Sequence, residues 1–139
     1  MIAYFDTSAV LPLVVDEPGS LGATRLWDAS DRVASVRLVY PEGRAALAQA
    51  HRLGRLAARR FRSAVTQLDS LVLQLDIVEF TERIAHRAGE LAEQQSLRGY
   101  DAVHLAGVEA LNDPDTILVA GDHQLCDAGE RLGINVARI

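Results

Sequence analysis

Short apolar runs alternate with amphipathic stretches along the whole chain. Ile2 to Phe5 is followed at once by Asp6-Thr7-Ser8, which reads as a buried strand running into a helix start. Glu17-Pro18-Gly19-Ser20 marks a turn, with Ser20 the expected N-cap of a helix through about Ala29. Val33 to Val39 has the β-branched content of a second strand. Tyr40-Pro41-Glu42 then opens a helix, with Pro41 suited to its first position. Leu53, Leu56, Ala57, Phe61, Ala64, Leu68, Leu71 and Leu75 recur at helical spacing and predict one long helix over 53–75. Leu75 to Phe80 is a weaker strand candidate. Thr81, with Glu82 and Arg83 behind it, starts a helix through about Gln95. After a break at Leu97-Arg98-Gly99, another helix runs from Tyr100-Asp101 to the Asn112-Asp113-Pro114-Asp115 turn. Thr116 to Ala120 reads as a strand, Asp122 to Leu132 as a helix ended by Gly133, and Ile134 to Val136 as a last strand extending toward Ile139.

Strands alternating with helices predict an α/β fold, a central parallel sheet of four to five strands flanked by helices on both faces. With 139 residues, no repeat and no long linker, the span 1–139 reads as a single domain. An apolar share of 49% is enough for a core and excludes a disordered tail. The best apolar stretch, Ala9 to Val15, falls short of the ~20 residues that span a bilayer and is broken by Pro12. The N-terminus lacks the basic opening of a secretory signal, so the chain reads as cytoplasmic, with no membrane role. A single cysteine, Cys126, excludes an internal disulfide and a cysteine zinc site.

In an open parallel sheet, ligands bind beyond the carboxyl ends of the strands. Asp6 follows the first strand, Asp122 follows the Thr116–Ala120 strand, and Glu42 sits in the first helical turn after the second strand. Asp101 opens its own helix. Each alone suits a helix cap or the helix dipole. Together they converge like charges that repel by about 1 kcal/mol per pair at 4 Å even in bulk water. A hard divalent cation such as Mg²⁺ or Mn²⁺ among oxygen ligands removes that repulsion. An ion held this way, with open water positions, activates water and stabilises charge at phosphorus.

These residues also carry a family resemblance. Tyr4-Phe5-Asp6-Thr7-Ser8-Ala9 resembles the opening motif of PIN domains, in which the Asp is a metal ligand. Tyr40-Pro41-Glu42-Gly43-Arg44-Ala45-Ala46-Leu47 is similar to the second motif, with Glu42 its acid. Leu97-Arg98-Gly99-Tyr100-Asp101-Ala102-Val103-His104-Leu105-Ala106 resembles the third and most specific motif. Leu118-Val119-Ala120-Gly121-Asp122-His123-Gln124-Leu125 resembles the fourth. Order and spacing agree over essentially the whole chain, whose size resembles VapC toxins of VapBC toxin–antitoxin pairs. One position departs. Family members often carry Thr or Ser two residues before the fourth acid, where this chain has Ala120.

The resemblance implies a PIN-like fold and a metal-dependent endoribonuclease acting as a toxin. Asp6, Glu42, Asp101 and Asp122 would be the catalytic, metal-holding residues, with Mg²⁺ or Mn²⁺ as cofactor. It implies RNA as substrate, a VapB-like antitoxin as partner, and a homodimer. By resemblance one of the Thr7 and Ser8 hydroxyls lines the site, and Thr7 is the substrate-contact candidate, with helix capping as its equal alternative. For His104, three residues after Asp101 and on the same helix face, a partly buried, hydrogen-bonded histidine is the favoured reading over a substrate contact.

Net charge is −5, and every one of the 14 basic residues is Arg. No acid lies between Glu42 and Asp69, and Arg52, Arg55, Arg59 and Arg62 are spaced to share one stripe of the expected long helix. Arg55 and Arg59 are therefore candidate phosphate contacts, with an antitoxin or dimer contact as the alternative. Among rivals, an aspartyl phosphatase wants Asp-x-Asp at the first strand and a phosphoreceiver wants a Lys near the last. The chain has neither. The other alternative is a non-catalytic PIN-like module that binds RNA or protein.

Overall fold

A computed structural model describes all residues, 1–139. Five strands form one parallel sheet in the order β3-β2-β1-β4-β5. They are β1 (Ile2–Phe5), β2 (Arg32–Val36), β3 (Asp76–Val78), β4 (Thr116–Ala120) and β5 (Asn135–Arg138). Every neighbouring pair is parallel, with Tyr4 opposite both Ala34 and Leu118. The helices are α1 (Thr7–Val10), α2 (Ser20–Ala29), α3 (Val39–Arg52), α4 (Ala58–Val72), α5 (Glu82–Gln95), α6 (Gly99–Ala110) and α7 (His123–Arg131). A 3-10 turn, Leu11–Leu13, continues α1.

β1 explains why its sequence is an unbroken apolar run. It lies at the centre of the sheet, and all four residues are buried. Successive side chains point to opposite faces. Ile2 and Tyr4 join the core under α5, α6 and α7, with Leu91, Leu105 and Leu125. Ala3 and Phe5 join the other core, with Val10, Leu47 and Leu68 from α1, α3 and α4. Residues 101–108 of α6 are all buried, so Asp101 and His104 are carried on an inner helix.

Chain order runs outward from β1 in both directions, toward β2 and β3 on one side and toward β4 and β5 on the other. The switch point lies between β1 and β4. Crevices at such points, outside the carboxyl ends of the strands, hold ligands in open α/β sheets.

The structure differs from the sequence expectation at three places. The helix predicted over 53–75 is two elements, because α3 runs on to Arg52 and α4 starts only at Ala58. Gly54, at φ +77°, takes the left-handed backbone that ends α3. The four arginines therefore do not share one helical stripe. Arg52 ends α3, Arg55 sits in the turn, and Arg59 and Arg62 lie on α4. The second strand stops at Val36, and α3 takes up Val39 and Tyr40, so Pro41 is its third residue rather than its first. Ser20 is the first residue of α2, not its cap. Its hydroxyl accepts from the Glu17 amide and donates to the Val15 carbonyl, bracing the turn instead. Cys126 is a buried small residue, and burial pushes its thiol up to about 11. No helix is long and apolar enough to cross a membrane.

Candidate active site

The four carboxylates arrive on four separate elements. Asp6 is the residue after β1, its amide still bonded to the Val119 carbonyl of β4 at 3.2 Å. It is the N-cap of α1, with Oδ1 accepting from the Ala9 amide at 3.0 Å. Asp122 caps α7 in the same way, taking the Leu125 amide on Oδ1 at 2.9 Å. Capping is thus real at both positions, and in each it uses only Oδ1. Glu42 stands in the first turn of α3 and Asp101 in the first turn of α6. Asp101 caps nothing. Arg98 holds the cap position, and Asp101 is a buried acid at the edge of an apolar helix.

Cations and donors that the sequence pattern did not assign hold these acids. Arg98 Nε donates to Asp101 Oδ2 at 3.0 Å, and its Nη2 lies 3.6 Å from Asp122 Oδ2. Its guanidinium also feels Glu42, and the acids together raise its pKa. A positive group therefore stands among three of the four carboxylates. His104 Nε2 lies 2.6 Å from Glu42 Oε1, and the Thr7 hydroxyl donates to the same oxygen at 2.9 Å. Burial pushes the Glu42 carboxyl up, but the His104 and Thr7 hydrogen bonds and the Arg98 charge outweigh it and leave it lowered. The Ser8 hydroxyl lies 2.7 Å and 2.9 Å from the two oxygens of Asp6 and accepts from the Gly121 amide at 2.8 Å. Burial dominates at Asp6, whose pKa rises to about 6 despite these donors.

No three acidic or imidazole side chains converge tightly enough to form a ready-made cage. Arg98 and His104 each pair with a carboxylate, which relieves the repulsion expected from the bare acids. The donor set nevertheless fits a hard divalent cation. It is all carboxylate oxygen, two members are buried, and a guanidinium already stands in as the positive charge.

Arg98 is a functional candidate that sequence reasoning passed over, and Ser8 is one that it weighed only together with Thr7. Ser8 supplies a hydroxyl between Gly121 and Asp6, close to the position where Ala120 lacks one. Arg98 had a visible signal, standing three residues before Asp101 and so within reach of it on a helix. Thr7 is at the site, with its hydroxyl hydrogen given to Glu42 rather than left for substrate. His104 is buried and fully bonded, as the sequence favours, yet its partner is a candidate metal ligand. Arg55 and Arg59 are exposed, and neither pairs with any of the four acids. Glu42 and Arg52 alone are separated by ten residues of α3, about 15 Å at 1.5 Å per residue.

The family model described as PIN domain matches residues 3–130. The chain is 39% identical to the Mycobacterium tuberculosis (strain H37Rv) protein named ribonuclease VapC49, across 98% of this chain and 94% of that protein. The crystal structure of M. tuberculosis VapC20, described as a sarcin–ricin loop cleaving toxin, superposes with a TM-score of 0.71 at 21% identity. The match covers 91% of this chain and 95% of that one. VapBC2 from Rickettsia felis, bound to a DNA fragment from its promoter, gives 0.68 at 17% identity over 100% and 99% of the two chains. At these identities the two solved structures bear on the fold.

Proposed function

This chain belongs to the PIN-domain family, and on that premise we propose that it is a divalent-metal-dependent endoribonuclease, the toxin of a toxin–antitoxin pair. The observation that supports the chemistry is that Asp101, Asp122 and Glu42 share one guanidinium, with Asp6 standing at the end of β1 beside the sheet's switch point. The near full-length likeness to a ribonuclease VapC carries the choice of RNA. Asp6, Glu42, Asp101 and Asp122 would hold Mg²⁺ or Mn²⁺. When bound, the ion supplies a nucleophilic water at neutral pH and stabilises the charge that develops at phosphorus.

The chain's own residues do the arranging. Ser8 and the Ala9 amide fix the orientation of Asp6. Thr7 and His104 hold Glu42 by one oxygen. Arg98, three-quarters exposed at its side chain, is free to turn from the acids to a substrate phosphate once a metal replaces it. The resemblance to VapC toxins also supports two protein partners, a VapB-like antitoxin that brings Arg or Lys to the acidic edge and a second copy of the chain.

A metal titration tests the site. Adding Mg²⁺ or Mn²⁺ to 100 times its dissociation constant should stabilise the native state by about 2.7 kcal/mol. For a domain of this size that raises Tm on the order of 10 °C. Asp101→Asn should lose most of the rise. A flat response in the unmodified protein would remove the metal centre.

Arg55 and Arg59 are proposed to contact the RNA backbone at a distance from the cut. Neither takes part in an ion pair in the structure, so both are available to phosphate. Changing both to Ala should lower RNA affinity and flatten the dependence of log K on log salt by about 0.7 for each phosphate no longer neutralised. The maximal cleavage rate should hold. Arg55 also borders an apolar groove with Leu11, Val15, Leu47 and Leu56, which favours an antitoxin contact as the second reading. That reading predicts an unchanged salt slope and a complex that falls apart on gel filtration.

A further inference from the structure

We propose that His104 is a positioning residue which, held by Tyr4 at Nδ1, gives its Nε2 hydrogen to Glu42 and fixes that carboxylate for cation binding. The inference rests on the metal-centre reading above and adds to it the part of Tyr4, which sets the side of the His104 ring that meets Glu42.

One buried hydrogen decides the tautomer. Tyr4 is fully buried on the central strand. Its hydroxyl oxygen accepts from the Val36 amide at 3.2 Å and lies 3.1 Å from His104 Nδ1. A phenol has one hydrogen to give. A buried donor without an acceptor costs about 1–3 kcal/mol. Of these two partners only the imidazole nitrogen can accept, so the Tyr4 hydroxyl donates to Nδ1. Nδ1 then carries a lone pair, and the ring hydrogen sits on Nε2.

Nε2 has two neighbours, Glu42 Oε1 at 2.6 Å and the Thr7 hydroxyl oxygen at 3.3 Å. Thr7 already gives its hydrogen to Glu42 Oε1. The imidazole N–H therefore donates to that same oxygen. Two donors pin Oε1, and Oε2, which takes no hydrogen bond from the protein, is left to face a cation. The resulting relay runs Val36 N–H, Tyr4 hydroxyl, His104, Glu42, and joins β2, β1, α6 and α3.

The packing around the relay favours this arrangement. The Tyr4 and His104 rings meet edge to face, 6.0 Å apart at 80°. Gly107, one turn along α6, leaves the room the hydroxyl needs. A Cβ there would lie 2.6 Å from the Tyr4 oxygen. Hydrogen-bond partners that orient a metal ligand are typically worth about 10–100-fold in metal affinity.

Two measurements on the whole protein test this. Nitrogen-detected NMR of the unmodified protein, without metal, should show the His104 ring hydrogen on Nε2 and Nδ1 accepting from Tyr4. A hydrogen on Nδ1 would overturn the proposal whatever the metal does. Calorimetric titration with Mn²⁺ then compares two variants. His104→Gln places an amide nitrogen near Nε2 and keeps the donor to Glu42. His104→Asn reaches only the Nδ1 side and loses it. Mn²⁺ affinity should fall about 10–100-fold in His104→Asn and return to within about threefold of the parent in His104→Gln. Matched melting temperatures of the two metal-free variants separate positioning from folding. Should both variants melt early, Tyr4→Phe, which keeps the ring, should still weaken Mn²⁺ binding and mix the tautomers. Equal Mn²⁺ affinity in His104→Asn and the parent would end the positioning role and leave the nuclease reading intact. No Mn²⁺ binding by the parent would end both, and Asp101→Asn would then have nothing to lose.

Discussion

Replacing Asp101 with Asn is expected to lower RNA cleavage by about 100-fold or more while leaving RNA binding in place. The magnitude is that of removing one electrostatic stabiliser from a preorganised site. Asp101 is the acid with least alternative employment. It caps no helix, it is buried, and its only ion pair is to Arg98. Asn keeps the shape and an acceptor oxygen, so α6 should pack as before. What goes is one negative charge from the cation site. RNA affinity should hold or tighten, because less repulsion faces the phosphates and Arg98 is released toward them. Single-turnover cleavage, with filter binding of the same preparation, separates the two effects. Cleavage within threefold of the parent would take Asp101 out of the chemistry.

Much of this site was legible because acids placed after strands are a topological signal. Once the alternation of strands and helices predicts a parallel sheet, Asp6 and Asp122 must lie beyond its carboxyl edge. The structure bears this out, with β1 and β4 adjacent and in register. Glu42 follows for the same reason, although its strand ends earlier than its β-branched residues suggest. The long helix failed because apolar spacing continues through the Gly54 turn. Leu53 and Leu56 keep the period while the backbone does not, and Leu53 ends up exposed. The arginine stripe failed with it. What the pattern could not reveal is who bonds to whom. The Tyr4–His104 link joins residues 100 positions apart, and the His104–Glu42 link joins residues 62 apart. Neither residue has a local signal for the other. Tyr4 reads simply as a strand residue and His104 as a polar break in an apolar helix, until β1 and α6 are packed together.

Asp6→Asn is expected to stabilise the metal-free protein at high pH, to have no such effect at low pH, and to be the less stable form once metal is bound. Asp6 is almost wholly buried, and burial lifts its pKa from 3.8 to about 6. Between those values the native state holds a proton that the unfolded chain has released. Without metal, stability should therefore fall as pH rises from about 4 to about 6, then level off. At 1.36 kcal/mol per pKa unit the loss is roughly 3 kcal/mol. Asn carries no charge and keeps an oxygen for the Ala9 amide and the Ser8 hydroxyl. In chelator at pH 8 the variant should gain up to about 3 kcal/mol over the parent, and near pH 4 the gain should vanish. This is an upper bound, because the new amide hydrogens need acceptors in a buried place. Saturating Mg²⁺ at pH 8 should invert the order. The parent gains the binding energy of the ion, and the variant has lost a ligand. Denaturant midpoints at pH 4 and pH 8, each with chelator and with Mg²⁺, give the four numbers needed. A variant no more stable than the parent at pH 8 in chelator would mean that the Asp6 carboxylate is already compensated by Ser8 and the Ala9 amide. The acid would then lack the desolvation that drives it toward a cation.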